Sequence, residues 1–101
     1  MTYKYRFNPV AAYEYEDAYF WYSMISDKLG DDFLKVSEER IKLICNYPYC
    51  YRNTYRSLRE ISLKKYPYTI IYDIDEQRKT IIITAVYHHR RNPKRKYRRK
   101  K

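Results

Sequence analysis

Two histidines open the most chemically loaded stretch of this chain, HHRRNPKRKYRRKK, His88 to Lys101. Nine of its residues are lysine or arginine and none is acidic. Histidine moves protons near neutral pH, the arginine fork matches a phosphate, and tyrosine can donate a hydrogen bond or stack on a base. Just before the histidines stands Ile81-Ile82-Ile83-Thr84-Ala85-Val86-Tyr87, a β-branched run that reads as a buried strand. Both imidazoles therefore sit where a strand leaves the core. Consecutive strand side chains point to opposite faces, so only one of the two is expected on the sheet's working surface. The plainer alternative is a solvated, solubilising tail.

The distribution of charge bears on that choice. The chain of 101 residues carries a formal charge of +10 from 22 basic and 12 acidic side chains. With nine of the bases beyond Tyr87, residues 1–87 hold 13 bases against 12 acids. The excess is terminal, and a field of that kind draws in nucleic acid or an acidic protein and weakens with salt.

Other chemistries find less support. Cys45 and Cys50 flank Pro48 and, with no export signal at MTYKYRFNP, are expected as free thiols in a reducing cytosol. Cys45, Cys50, His88 and His89 could total four zinc ligands, but C-x4-C is looser than a zinc knuckle and adjacent strand histidines diverge. No metal site and no cofactor is assigned. A single glycine rules out a glycine-rich phosphate loop. There is no acid–His–nucleophile pattern. No stretch is apolar enough to cross a membrane.

The elements that must position these residues follow from periodicity. Thr2–Phe7 alternates aromatic and polar side chains as a half-buried strand does. Asn8-Pro9 supplies a helix cap and a first-turn proline. Ala11, Tyr15, Ala18, Tyr22, Ile25 and Leu29 then mark one face of a long helix, with Gly30 expected at its end. Asp31-Asp32 is expected to cap a second helix with Phe33, Val36, Ile41 and Ile44 inward, stopped before Pro48. The period changes after Tyr55. Leu58–Leu63, Tyr68–Ile74 and Lys79–Tyr87 read as three strands, with a polar turn at Asp75–Arg78. The expected fold class is α+β in the order β-α-α-β-β-β. An antiparallel helix hairpin packs on one face of a three-stranded antiparallel meander, and the first strand is added at an edge or inserted. Residues 1–97 form one domain and 98–101 a basic tail.

This order resembles the RelE/ParE superfamily of type II toxin–antitoxin toxins over nearly the whole chain. The resemblance rests on NPVAAYEYEDAYFWY after the first strand, on the G-x-x-F of Gly30–Phe33, and on ICNYPYCY. It rests further on LREISLKKYPYTIIYDID and on the closing IIITAVYHHRRNPKRKY. It implies a small cytoplasmic toxin, held in a hetero-oligomer by an antitoxin encoded beside it. RelE-like members cut mRNA on the ribosome, whereas ParE-like members block DNA gyrase.

A nuclease here would be metal-independent, with His88 or His89 for proton transfer and Arg59, Arg90 and Arg91 on the phosphate. Tyr97 would be a stacking or acid residue, as the aromatic near the C-terminus is in RelE-like nucleases. Without catalysis, Arg90, Arg91, Lys94 and Arg95 would bind the target. Thr69 stands where RelE-like sequences commonly carry arginine in a Y-R-L-I-Y strand, and their lysine-rich segment survives only as Lys64-Lys65. That departure weighs toward the ParE-like side. A third expectation is a non-toxic, basic nucleic-acid-binding member. The surplus of Tyr13, Tyr15, Tyr19 and Tyr22 on the first helix exceeds the needs of one core face, and its outward members are expected at the antitoxin interface.

Overall fold

The structure, a computed structural model, describes residues 2–90. Strand β1 (Lys4–Phe7) leads through Asn8 into helix α1 (Pro9–Ile25), followed by α2 (Asp27–Asn46) and strands β2 (Arg52–Tyr55), β3 (Leu58–Ser62), β4 (Tyr68–Asp75) and β5 (Thr80–His88). The five strands form one sheet in the order β1-β5-β4-β3-β2. β2 to β5 are an antiparallel meander, and β1 joins its β5 edge in parallel. The α+β class and the element order agree with the sequence reading. The meander gains one short strand, β2, whose four residues are mostly exposed and carry no apolar alternation to announce it.

The start of α1 is as expected: the Asn8 side chain accepts from the Ala11 N–H at 2.9 Å, with Pro9 in the first turn. Its end is not. α1 stops at Ile25, and Ser26, in extended conformation, caps α2 by accepting from the Leu29 N–H at 3.0 Å. Gly30 therefore lies inside α2 and terminates nothing. It is buried because the two helices cross there: a Cβ on Gly30 would stand 2.7 Å from the Ser23 Cβ. The glycine serves close approach, and Asp31-Asp32 follow it in mid-helix instead of capping. Ile25, placed inward by the longer helix, is 61% exposed.

The core lies between the helices and one sheet face. Ala11, Ala18, Phe33, Ile41 and Ile44 meet Ile61, Ile70, Tyr72, Ile81, Ile83 and Val86 there. Burying such side chains contributes about 1.5–3 kcal/mol each before entropy is counted. A bulge sets the phase of β5. Ile71 pairs with Ala85 and Tyr72 with Ile83, so Thr84 is the extra residue. Core-facing positions run Ile81, Ile83 and then Val86. No helix of the described residues is long and apolar enough to cross a membrane.

Candidate functional site

The bulge at Thr84 decides which histidine looks where. Strict alternation from Ile81 and Ile83 would carry Tyr87 and His89 onto the helix side; the extra residue instead puts His88 there, directly opposite Tyr68. The His88 and Tyr68 rings meet edge to face, with centroids 4.9 Å apart. His88 Nδ1 accepts from the Arg90 backbone N–H at 3.0 Å, which leaves Nε2 to carry the proton of the neutral ring.

His88 and Arg90 form one wall of a cleft of about 460 Å³, with Tyr68 at its floor and Asp17, Phe20, Trp21 and Met24 of α1 opposite. Glu14 of α1 accepts from the Val86 N–H at 2.8 Å and pins the helix along β5. The chemistry the cleft offers is mixed: aromatic and thioether surface for an apolar group, a carboxylate on one side, imidazole and guanidinium on the other.

His89 belongs elsewhere. Its Nε2 shares a 2.9 Å hydrogen bond with Thr69 Oγ1, and its N–H donates to the Pro67 carbonyl. It lines a shallow groove with Ser62, Lys64, Lys65 and Tyr66. Lys65 there donates to Asp32 at 2.8 Å, as does Tyr66 at 2.5 Å. Burial first, and the Asp32 carboxylate second, push the Tyr66 phenol up to about 12. It stays a neutral donor at any physiological pH.

Arg59 meets neither histidine. It pairs with Tyr72 on β4, four residues along from the Tyr68 that faces His88. With two strand spacings between β3 and β5, the backbones of Arg59 and His88 are roughly 16 Å apart. Arg59 is engaged locally: Nη1 donates to the Tyr51 carbonyl at 2.8 Å and more weakly to that of Tyr49 at 3.4 Å. Its guanidinium lies 5.4 Å from the Tyr49 ring centroid. Of the sequence-derived candidates, the structure thus brings together His88 and Arg90, and separates them from His89 and Arg59. Arg91, Lys94, Arg95, Tyr97 and the 98–101 tail lie outside the described residues. Cys45 is buried, Cys50 exposed, and both are free. No group of His, Cys, Asp or Glu among the described residues could hold a metal ion.

Sequence reasoning missed Asp17, Phe20, Trp21 and Met24. The signal was present: α1 is apolar on more than one face, so one face had to remain outside the core.

Solved toxin structures share the fold. The isolated E. coli RelE toxin superposes with a TM-score of 0.65 at 14% identity, covering 93% of this chain and 92% of that one. The RelBE2 toxin–antitoxin complex of Mycobacterium tuberculosis gives 0.61 at 19% identity over 87% and 99% of the two chains. The chromosomal ParDE system of P. aeruginosa gives 0.60 at 14% over 86% and 96%. No curated protein matches the sequence significantly. The family model of the ParE toxin of the type II toxin–antitoxin system parDE matches residues 5–93, and the chain belongs to that toxin family, within the RelE/ParE superfamily.

Proposed function

We propose that this chain arrests bacterial growth by binding DNA gyrase without cutting RNA, and that a cognate antitoxin neutralises it. The observation that carries this reading is that, of the described groups a metal-free nuclease would draw on, only Arg90 shares the cleft of His88, while Arg59 and His89 stand apart from it. RNA scission asks for a proton-transfer group and a phosphate cation around one phosphorus. Here Arg59, whose backbone stands roughly 16 Å from that of His88, is turned into local backbone carbonyls, His89 lies across the sheet, and Thr69 stands where the RelE-like strand commonly carries a cation. A gyrase-binding toxin needs no such convergence. Arg90, with Arg91, Lys94 and Arg95 after it, is assigned the target contact, and the cytosol is where both target and antitoxin are met.

The fold is also that of the RelE and RelBE2 chains, so the test must separate the mechanisms. The purified chain should inhibit gyrase supercoiling in vitro. Its expression should give double-strand breaks and an SOS response with transcripts intact. Transcript cuts at fixed codon positions that vanish in His88→Ala, His89→Ala or Arg59→Ala would overturn the gyrase reading in favour of the nuclease. Growth unaffected by strong expression would leave only a non-toxic binding module.

A further inference from the structure

β1 closes one end of the sheet, and its outer side has no neighbouring strand. The phase of its backbone follows from two bonds to the β5 side: the Lys4 N–H donates to the Lys79 carbonyl and the Asn8 N–H to the Ile83 carbonyl, both at 3.0 Å. In a parallel ladder alternate residues turn their main-chain groups toward the neighbour. Lys4, Arg6 and Asn8 therefore face β5, and Tyr5 and Phe7 point their N–H groups outward. Tyr3, earlier in that outward series, is already matched: its N–H donates to the Cys45 carbonyl near the end of α2 at 3.0 Å. Beyond it the edge is bare, and among the described residues nothing outside the sheet bonds the main chain of Tyr5.

The two faces of this edge carry different chemistry. Tyr5 and Phe7 stand opposite Ile81 and Ile83 and turn to the helix side, where their rings meet edge to face at 6.1 Å and Phe7 stacks on Tyr15. Tyr5, 47% exposed, borders a groove of about 620 Å³ between the edge and α2, with Tyr3 beside it and Glu38, Ile41, Lys42 and Cys45 across. Lys4 and Arg6 alternate onto the other face, are exposed, and pair with no carboxylate among the described residues. A second copy is excluded by that pair. Two β1 strands matched antiparallel about Tyr5 would set Lys4 opposite Arg6 twice on one face, and like charges directly opposite destabilise. A phosphate backbone offers acceptors to the outward N–H groups but no donor to the Tyr5 carbonyl. The same two cations that repel a copy are an address for a strand with acids in register.

On the reading that an antitoxin neutralises this chain, we infer that an extended segment of that antitoxin pairs with the outer side of β1 as a further strand, in the pattern acid–apolar–acid. The two acids stand across from Lys4 and Arg6, and the residue between them turns into the groove beside Tyr5. Main-chain bonds at Tyr5 and Phe7 supply affinity, and the alternate side chains supply the choice of partner. Parity is the filter. A slip of one residue would carry both acids to the apolar side and leave Lys4 and Arg6 facing an apolar side chain.

Hydrogen exchange at single amides of the full chain, free and mixed with the purified product of the adjacent gene, tests this. The Arg6 amide, turned to β5, should exchange slowly in both states. Those of Tyr5 and Phe7 should be fast in the free chain and slowed at least tenfold in the complex. Lys4→Glu with Arg6→Glu should weaken binding at least tenfold, and lysines in place of the two antitoxin acids should restore affinity to that variant alone. Lys28→Glu with Lys35→Glu, on exposed α2 surface, makes the same change in net charge and should leave affinity within about twofold. Tyr5→Pro deletes the outward donor and leaves the β5 ladder intact, so it should weaken binding at least tenfold, whereas Tyr5→Val keeps the donor and should weaken it less than threefold. Melting curves establish that each variant is folded. A complex in which Tyr5 and Phe7 exchange as in the free chain, or one that tolerates the Lys4 and Arg6 reversals, overturns the inference. So does a free chain that dimerises with Tyr5 already protected, protection of Tyr5 by duplex DNA in place of the antitoxin, or the absence of any complex. Rescue of growth by the co-expressed antitoxin is measured separately: where it holds and Tyr5 stays unprotected, this inference fails and the antitoxin reading stands.

Discussion

Arg59 and Tyr51 are bound side chain to main chain: the guanidinium donates to the Tyr51 carbonyl at 2.8 Å and stacks near Tyr49, tying the segment after α2 to β3. The arginine of the LREIS strand thus has a structural task. Arg59→Ala should cost about 1–3 kcal/mol, the usual loss when a charged donor leaves a part-buried carbonyl, here that of Tyr51, unpartnered. Thermal melts beside growth assays check this. Growth inhibition should fall only as far as the folded fraction falls. A variant fully stable yet inert would assign Arg59 a direct role at the target.

The sequence was most legible where one local signal had one physical meaning. Asn8-Pro9 announces a helix start, and the Tyr68–Ile74 alternation and the Ile81–Val86 run announce strands; all three stand in the structure. It misled where one residue type serves two purposes. Gly30 has the mark of a helix stop, yet its missing side chain admits Ser23, while the true boundary lies in the Ser26-Asp27 capping pair four residues earlier. The bulge at Thr84 has no local sign, since threonine suits a β-branched run, yet it alone sends His88 to the helix side. The acceptors of Arg59 lie eight and ten residues upstream, on a segment placed by tertiary packing. Candidate residues could be named from the sequence, but their convergence could not.

The close approach of Gly30 to Ser23 makes a sharp test of helix crossing. Gly30→Ala gains about 1 kcal/mol of helix propensity. The new methyl would sit 2.7 Å from the Ser23 Cβ and 3.0 Å from its Cα, so α1 must move. Overpacking of this kind costs about 1–3 kcal/mol. The expected outcome is a net loss, read as a melting temperature lower by several degrees. Ser23→Gly in the same chain should recover only part of it, because the backbone at position 23 still crowds the new methyl. A stabilised Gly30→Ala would mean the hairpin is more loosely crossed than described.

Tyr72 is fully buried, and its hydroxyl donates to the Pro48 carbonyl at 2.7 Å. Burial pushes the phenol well above its usual range, so it remains a neutral donor. Tyr72→Phe keeps the ring and deletes the donor, leaving the Pro48 carbonyl unmatched. About 1–3 kcal/mol of stability should go, measured by urea unfolding with an unchanged m-value. No loss would mean that the carbonyl finds another donor.

Glu76 gathers three donors at the turn between β4 and β5. Lys79 reaches it at 2.5 Å, Tyr49 at 2.7 Å and Tyr3 at 2.8 Å, so one carboxylate joins the residues before β1, the segment after α2 and the turn itself. These hydrogen bonds, the Lys79 one foremost, hold the carboxyl down at about 2, from a usual 4.5. A pKa lower in the folded than in the unfolded chain means that the contribution is fully present above about 4.5 and is lost as pH falls toward 2. The melting temperature should therefore decline through that window, and Glu76→Gln should flatten the decline there, its deficit against the unaltered chain being full at pH 7 and shrinking as pH falls toward 2. The carboxylate is exposed, so solvent and salt screen it, and the slope should shrink further in high salt. An identical acid slope in Glu76→Gln would assign the decline to Asp32 or Asp75, whose carboxyls are also held low by Lys65 with Tyr66 and by Arg78.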